Sequence, residues 1–259
     1  MKKLHFYFST KLTFDDNVYN HSFALRCIPI NNNAQSILNY DLEIKPFVSA
    51  QLTMDAFGNN VLCGYIKKEH RYLDFEISGT AQIDSNAKTN DYLPCYLYQS
   101  EYTKPSDELT EFYKEIAGQC SVSSPDERAA FFSQRLFECM TYEKSITNTE
   151  TKAADAFEIK KGVCQDYSHI MLSLLRMDKI PCRYIAGLSS YAGETHSWIE
   201  LWDGNGWIGF DPANNCFLND DYLVFTQGRD FGDCAIDRGI MFGSYTRQMQ
   251  LIASSLEQQ

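Results

Sequence analysis

Nine cysteines are spread along the 259 residues, and one of them stands where a thiol can become a nucleophile. Cys164 follows Gly162-Val163 at the head of residues 162–175, where apolar side chains recur at helical spacing. A thiol attacks a carbonyl carbon only as the thiolate, and a free cysteine is mostly protonated at neutral pH. Two devices favour the thiolate: the positive end of a helix and an adjacent imidazolium. The expected helix start supplies the first, and Gly162 leaves room for a substrate backbone to approach. His169, on the same helix, is about 140° around from Cys164 and should point elsewhere.

The second device needs a histidine from another element. Asp203-Gly204-Asn205-Gly206 is a hairpin turn between strand-like residues 195–202 and 207–210. Centring the hairpin on Gly204-Asn205 sets Trp202 against Trp207, Glu200 against Gly209 and Trp198 against Asp211. Side chains alternate with period two, so His196 shares the face of Trp198 and becomes a diagonal neighbour of Asp211. That arrangement gives a base and the carboxylate that orients it. Taken singly, each residue has a plainer reading: a buried thiol, an exposed histidine, a turn-starting Asp211-Pro212. The joint pattern is the more specific signal.

The elements that must carry these residues divide the chain in two. Residues 19–30, 36–47, 60–70 and 72–83 alternate apolar with polar side chains and are separated by Asn- and Gly-rich turns. This reads as an N-terminal β-sandwich over residues 1–105. Past Lys104-Pro105 the spacing turns helical. Helices are expected over 107–120, 125–140 (with Ser124 as N-cap and Pro125 at the first position) and 162–177. Residues 183–187 and the hairpin then form strands. One or two more, including residues 245–252, are expected to complete the same sheet. The second unit, 106–259, is thus helices packed on an antiparallel sheet, and the whole is α+β.

The net charge of −11 disfavours nucleic acid as a partner. No apolar stretch approaches the ~20 residues of a membrane span. The run after Met1-Lys2-Lys3 is too short and too polar for a signal peptide. An odd number of scattered cysteines without a CxxC pair fits a reducing compartment, so a cytoplasmic location is expected, with no metal site.

Several segments resemble the bacterial transglutaminase-like superfamily. Gly162-Val163-Cys164-Gln165-Asp166-Tyr167-Ser168-His169 is similar to its nucleophile motif, and Ile180-Pro181-Cys182-Arg183-Tyr184-Ile185-Ala186-Gly187 to the strand that follows. His196-Ser197-Trp198, Phe210-Asp211-Pro212-Ala213-Asn214 and Gly228-Arg229-Asp230-Phe231 resemble later blocks. Asp55-Ala56-Phe57-Gly58-Asn59 resembles a signature of the preceding β-rich region. The resemblance implies a papain-like core with Cys164 as nucleophile, His196 as general base and acid, and Asp211 as orienting residue. It implies a thioester acyl-enzyme, no cofactor, and an oxyanion hole of the Cys164 N–H plus a further donor, for which Tyr142 is the candidate. Two departures, Met177-Asp178-Lys179 and a tyrosine at 222 where a histidine is expected, are read as lying off the triad and altering the cleft rim.

The expected activity is hydrolysis of an amide in a peptide or protein substrate. The alternatives are transfer to an amine, as in a protein-glutamine acyltransferase, and a non-catalytic peptide-binding module, which the complete triad disfavours. Trp198 and Trp207 are candidates to wall a substrate groove, or else pack across the hairpin. Asp166 is expected to cap its helix or to pair with Arg183. Sequence does not give the oligomeric state.

Overall fold

One strand organises the first third of the chain. In the computed structural model, which describes residues 1–191 and 194–258, β1 (Lys2–Leu25) runs for 24 residues through the middle of a seven-stranded sheet. It is followed by β2 (Gln35–Lys45), β3 (Ala50–Met54), β4 (Asn60–Ile66) and β5 (His70–Ile83). The first half of β1 pairs antiparallel with β5, which in turn pairs with β2. Its second half pairs with β4, and β4 with β3. Alternating residues Leu4, Phe6 and Phe8 of β1 and Leu73, Phe75 and Ile77 of β5 are buried in one core, as period-two patterning requires. The β-rich reading of this region holds. Residues 2–14 were not anticipated as a strand.

Helical elements follow: α1 (Asp107–Gln119) and α2 (Pro125–Cys139), then the short β6 (Thr141–Tyr142), α3 (Ala153–Ile159), β7 (Lys161–Gly162) and α4 (Cys164–Met177). Ser106 caps α1 through its side chain, whereas the Ser124 hydroxyl before α2 turns to Glu127 instead of a backbone amide. The short α3 escaped the sequence reading. A second sheet is built from β8 (Cys182–Ser189), β9 (Thr195–Trp202), β10 (Trp207–Asp211), β11 (Cys216–Phe217) and β12 (Tyr222–Gly228), in the order β11-β10-β9-β8-β12. Helix α4 packs on this sheet through Ile170, Met171 and Leu174, against Tyr184, Ile199 and Leu201. Arg176, buried near its C-terminus, bonds the Cys182 carbonyl (3.1 Å) and the Arg229 carbonyl (2.7 Å) and so fixes the helix along the strands. Among the described residues no helix is long and apolar enough to cross a membrane.

The last elements are α5 (Phe231–Cys234), β13 (Asp237–Phe242) and β14 (Arg247–Gln258). The expectation that the final strands complete the second sheet is corrected. Both β13 and β14 pair with β1, on the side of it away from β4 and β5. The long β1 left its other edge unpaired along both halves, and the chain returns to close it.

The edge strand β12 is closed differently. Gln35 donates to the Val224 carbonyl (2.9 Å) and accepts from the Val224 N–H (2.7 Å), beside the bulge between Val224 and Thr226. Asn59 does the same at Gln227, at 2.8 and 2.7 Å. Two side-chain amides from the first region thus stand in for a neighbouring strand. Phe225 adds edge-on contacts to Phe6 and Phe8, with ring centroids 6.4 and 5.6 Å apart. The Asp55-Ala56-Phe57-Gly58-Asn59 turn is therefore a docking device. Its Asp55 holds the Asn59 side chain and meets Arg26. Gly58 sits at a φ of +82°, which glycine adopts without strain.

Replacing Asn59 with Ala would leave the buried Gln227 N–H without its partner. We expect a loss of about 1–3 kcal/mol in urea unfolding. Asn59→Ala with unchanged stability would show that the amide contributes nothing to docking.

Candidate active site

Helix α4 begins at Cys164 because the chain before it is capped from within the helix. The Asp166 carboxylate accepts from the Val163 N–H (2.7 Å) and from the Thr147 hydroxyl (2.6 Å). Asp166 is thus a cap and not a partner of Arg183, which pairs instead with Asp91 and Glu200. Gly162 is required by this cap: an added Cβ would lie 2.4 Å from the Asp166 carboxylate oxygen. The glycine makes room for the cap and not, as the sequence suggested, for substrate. As the first helical residue, Cys164 has an N–H with no intrahelical acceptor, and its half-buried thiol lies at the positive helix end.

The hairpin has the register read from its turn: Trp202 pairs with Trp207, Glu200 with Gly209 and Ile199 with Phe210. It brings His196 Nε2 to 2.6 Å from Asp211 Oδ2 and leaves Nδ1 for Cys164. Asp211 is fully buried. Burial pushes its carboxyl up, but His196, Asn214 and Tyr222 together hold it below its usual value. Asn214 Nδ2 donates at 2.8 Å and the Tyr222 hydroxyl at 3.0 Å, both to Oδ2, while Oδ1 accepts the N–H groups of Ala213 (3.0 Å) and Asn214 (3.2 Å). Burial depresses the His196 imidazole, yet its bonds to Asp211 and Cys164 prevail and raise it to about 10. Burial likewise raises the Cys164 thiol. The hydrogen bond and charge of His196, with donors from Ser197, outweigh it and bring the thiol below its usual 9.0. Both shifts run in the direction of a thiolate–imidazolium pair, with the carboxylate against the imidazole.

The remaining expected residues fall differently. Tyr142 lines the cleft beside Cys164. The parallel pairing of Tyr142 with Gly162 in β6 and β7 brings it there, and its hydroxyl faces the Cys164 N–H. Burial and the neighbouring Cys164 charge raise its pKa. Trp198 does not wall a groove. It is fully buried, with its ring edge-on to Tyr222 (5.2 Å) and near His196 (6.1 Å), so it touches the back of the site and not the cleft. Trp207 packs under Arg183 (4.2 Å) and against Tyr92, Tyr96 and Trp202. His169 is buried and accepts from the Phe231 N–H (3.2 Å). Tyr222 is the clearest departure from the sequence reading. It was placed off the triad, and it donates to Asp211. Asn214, also missed, lay inside the quoted Phe210-Asp211-Pro212-Ala213-Asn214 block, and the spacing of an Asx turn was the available signal.

Cys164 and His196 open into a cleft of about 1040 Å³. Ser197, Tyr184 and Asn214 line it near the thiol, and Lys144, paired with Glu194, lies on its rim. Farther along it reaches Thr10 of β1 and Arg238 of β13, so the first region supplies part of the wall.

Alkylation by iodoacetamide provides a direct measurement. Cys164 is expected to react well below pH 8, ahead of the other eight thiols, because its pKa is lowered while burial raises those of Cys27, Cys95, Cys139, Cys182, Cys216 and Cys234. The His196→Ala variant should lose that advantage. A folded variant that keeps it would place the source of thiolate stabilisation elsewhere.

A model of the transglutaminase-like superfamily core matches residues 110–212, which include Cys164, His196 and Asp211. A model of the bacterial transglutaminase-like N-terminal region matches residues 4–82. The chain is 24% identical to Uncharacterized protein ML0607 of Mycobacterium leprae over 251 residues, 88% of each chain. It is 25% identical to Uncharacterized protein Rv2569c of Mycobacterium tuberculosis over 126 residues, 42% of this chain and 40% of that one. The crystal structure of a proposed cysteine protease from Cytophaga hutchinsonii superposes with a TM-score of 0.77 at 18% identity, covering 100% of this chain and 99% of that one; it shows the fold. The chain thus carries a transglutaminase-like superfamily core over residues 110–212, preceded over residues 4–82 by a bacterial transglutaminase-like N-terminal region.

Proposed function

We propose that the protein is a thiol-dependent amide hydrolase acting on a peptide or protein through Cys164, His196 and Asp211. The observation that carries this reading is the grouping itself: a thiol at a helix start, an imidazole in the same cleft, and a buried carboxylate 2.6 Å from His196 Nε2. In the first step Cys164 Sγ attacks the amide carbon and the carbonyl oxygen gains the negative charge. The Cys164 N–H and the Tyr142 hydroxyl, both at the cleft, are the donors assigned to that charge. The imidazolium then gives its proton to the leaving amine as the C–N bond breaks, which leaves a thioester. In the second step His196 takes a proton from water, the hydroxide adds to the thioester carbon, and the C–S bond breaks to release the acid and regenerate the pair. Asp211 keeps the imidazole in the tautomer both steps need.

Hydrolysis is preferred over transfer to an amine because the cleft is wide and carries charged groups on its rim, so water reaches the acyl-enzyme. The nine cysteines are all free thiols, which accords with a reducing, cytoplasmic site of action.

A pool of tryptic peptides analysed by mass spectrometry tests the activity. Cys164→Ala should abolish cleavage. Asp211→Asn should lower the rate by about 10²–10⁴-fold, and Tyr142→Phe by about 10²-fold. Cleavage that persists in Cys164→Ala would remove the proposal. Adding a fluorescent primary amine with a glutamine peptide separates the two fates of the thioester. Amine incorporation that outpaces hydrolysis would make the protein an acyltransferase.

A further inference from the structure

The Tyr222 hydroxyl reaches Asp211 from across the sheet. The other donors to that carboxylate come from the hairpin or the turn after it, whereas Tyr222 lies on β12, two strands from β9 in the order β9-β8-β12. Gly187 of β8 permits the approach. A Cβ there would lie 2.0 Å from the Leu223 carbonyl oxygen and 2.9 Å from the Trp198 ring. The Tyr222 ring is buried, edge-on to Trp198 at 5.2 Å and 6.3 Å from the His196 ring. Packing alone therefore holds the ring, and its hydroxyl is available for a separate task.

That hydroxyl shares one oxygen with the imidazole. Oδ2 of Asp211 accepts from His196 Nε2 at 2.6 Å, Asn214 Nδ2 at 2.8 Å and Tyr222 at 3.0 Å. An oxygen that already accepts two hydrogen bonds is a weaker acceptor for a third. We propose that Tyr222 is a positioning residue that tunes His196 through Asp211: by competing for Oδ2 it loosens the carboxylate's hold on the imidazolium and keeps that imidazolium acidic enough to protonate a leaving amine. The inference rests on the reading of Cys164, His196 and Asp211 as the reacting set. The other titratable groups facing these atoms are Cys164 from α4, against the imidazole, and Cys216 from β11, whose thiol is near both Asp211 and the Tyr222 hydroxyl. The Tyr191 ring lies tilted beside Tyr222 at 6.2 Å, but its own hydroxyl is bonded to Asp221 (2.8 Å).

Removing the hydroxyl should strengthen the bond between Asp211 and His196. In Tyr222→Phe the imidazole becomes more basic, takes the thiol proton more readily, and releases it less readily to a leaving group. We expect the acid limb of Cys164 alkylation by iodoacetamide to move down by about one pH unit. The His196 Nε2–H proton resonance should shift downfield at the same time. Peptide turnover at neutral pH should fall severalfold with KM within twofold. Asn214→Ala removes a different donor from the same oxygen and should shift the limb and the resonance the same way, so the test does not depend on one variant folding well. Unchanged limb and resonance in both folded variants, with only the melting temperature lowered, would reduce Tyr222 to a packing residue and overturn the proposal. A wild-type Cys164 that alkylates no faster than the exposed Cys63 is a different failure. It would remove the reading of the reacting set, and the tuning with it.

Discussion

The site depends on one buried carboxylate. Asp211 has no exposed surface and accepts five hydrogen bonds at 2.6–3.2 Å, from His196, Ala213, Asn214 twice and Tyr222. An ionised carboxylate removed from water is costly unless every lone pair is met, and here the donors come from β9, from the turn after β10 and from the remote strand β12. With the charge so held, the imidazole beside it becomes easier to protonate, and the thiol beside that becomes easier to ionise. The sign of each step follows from burial opposed by hydrogen bonding. Burial alone would neutralise all three groups. Linkage to stability follows the same signs. The lowered Asp211 contributes stability above its ordinary 3.8, and this is lost as pH falls through its folded value. The raised His196 contributes below its ordinary 6.5, and this is lost as pH rises through about 10.

The same constraint explains why the two regions are not separable modules. Tyr222 can reach Asp211 only if β12 keeps its register along β8. An edge strand is free to slip or fray on its open side. Gln35 and Asn59 close that side with paired donor and acceptor atoms at Val224 and Gln227, and the Asp91 carboxylate holds the Gln227 side chain at 2.8 Å. Asp91 also meets Arg183, which stacks on Trp207 in the β9–β10 hairpin. A chain of polar contacts therefore runs from the first region to both strands that carry the site. The return of β13 and β14 to β1 ties the chain's end to its beginning and brings Arg238 and Arg247 to the cleft.

Much of this was legible in local patterns. The turn Asp203-Gly204-Asn205-Gly206 fixed the hairpin register, and register alone put His196 next to Asp211, because alternation leaves a strand no other choice of face. The Gly162-Val163-Cys164 helix start was equally readable, although for a different reason: the glycine accommodates Asp166. What escaped was non-local. Nothing in residues 245–252 says whether a strand joins the nearer sheet or returns to one formed two hundred residues earlier. Trp198 was ambiguous because a tryptophan beside a histidine fits a groove wall and a buried floor equally well. Tyr222 was misjudged because its partner lies on a strand it does not pair with, and period-two reasoning reaches only paired neighbours.

Trp198 on the floor has a consequence of its own. With that indole and the Tyr222 ring behind it, the imidazole faces water only toward the cleft, and the Asp211–His196 bond lies in a low-dielectric layer. Electrostatic attraction there is strong, and an unpaired charge is correspondingly costly. The three groups therefore behave as one unit. Loss of the carboxylate would leave the imidazolium with the thiolate as its one charged partner, and loss of the imidazole would leave a buried carboxylate short of one donor. A sequence that retained only the histidine and aspartate for packing would face the full desolvation cost with no thiolate to offset it. The joint presence of Cys164, His196, Asp211 and the donors around them is what the proposed chemistry at the thiol requires.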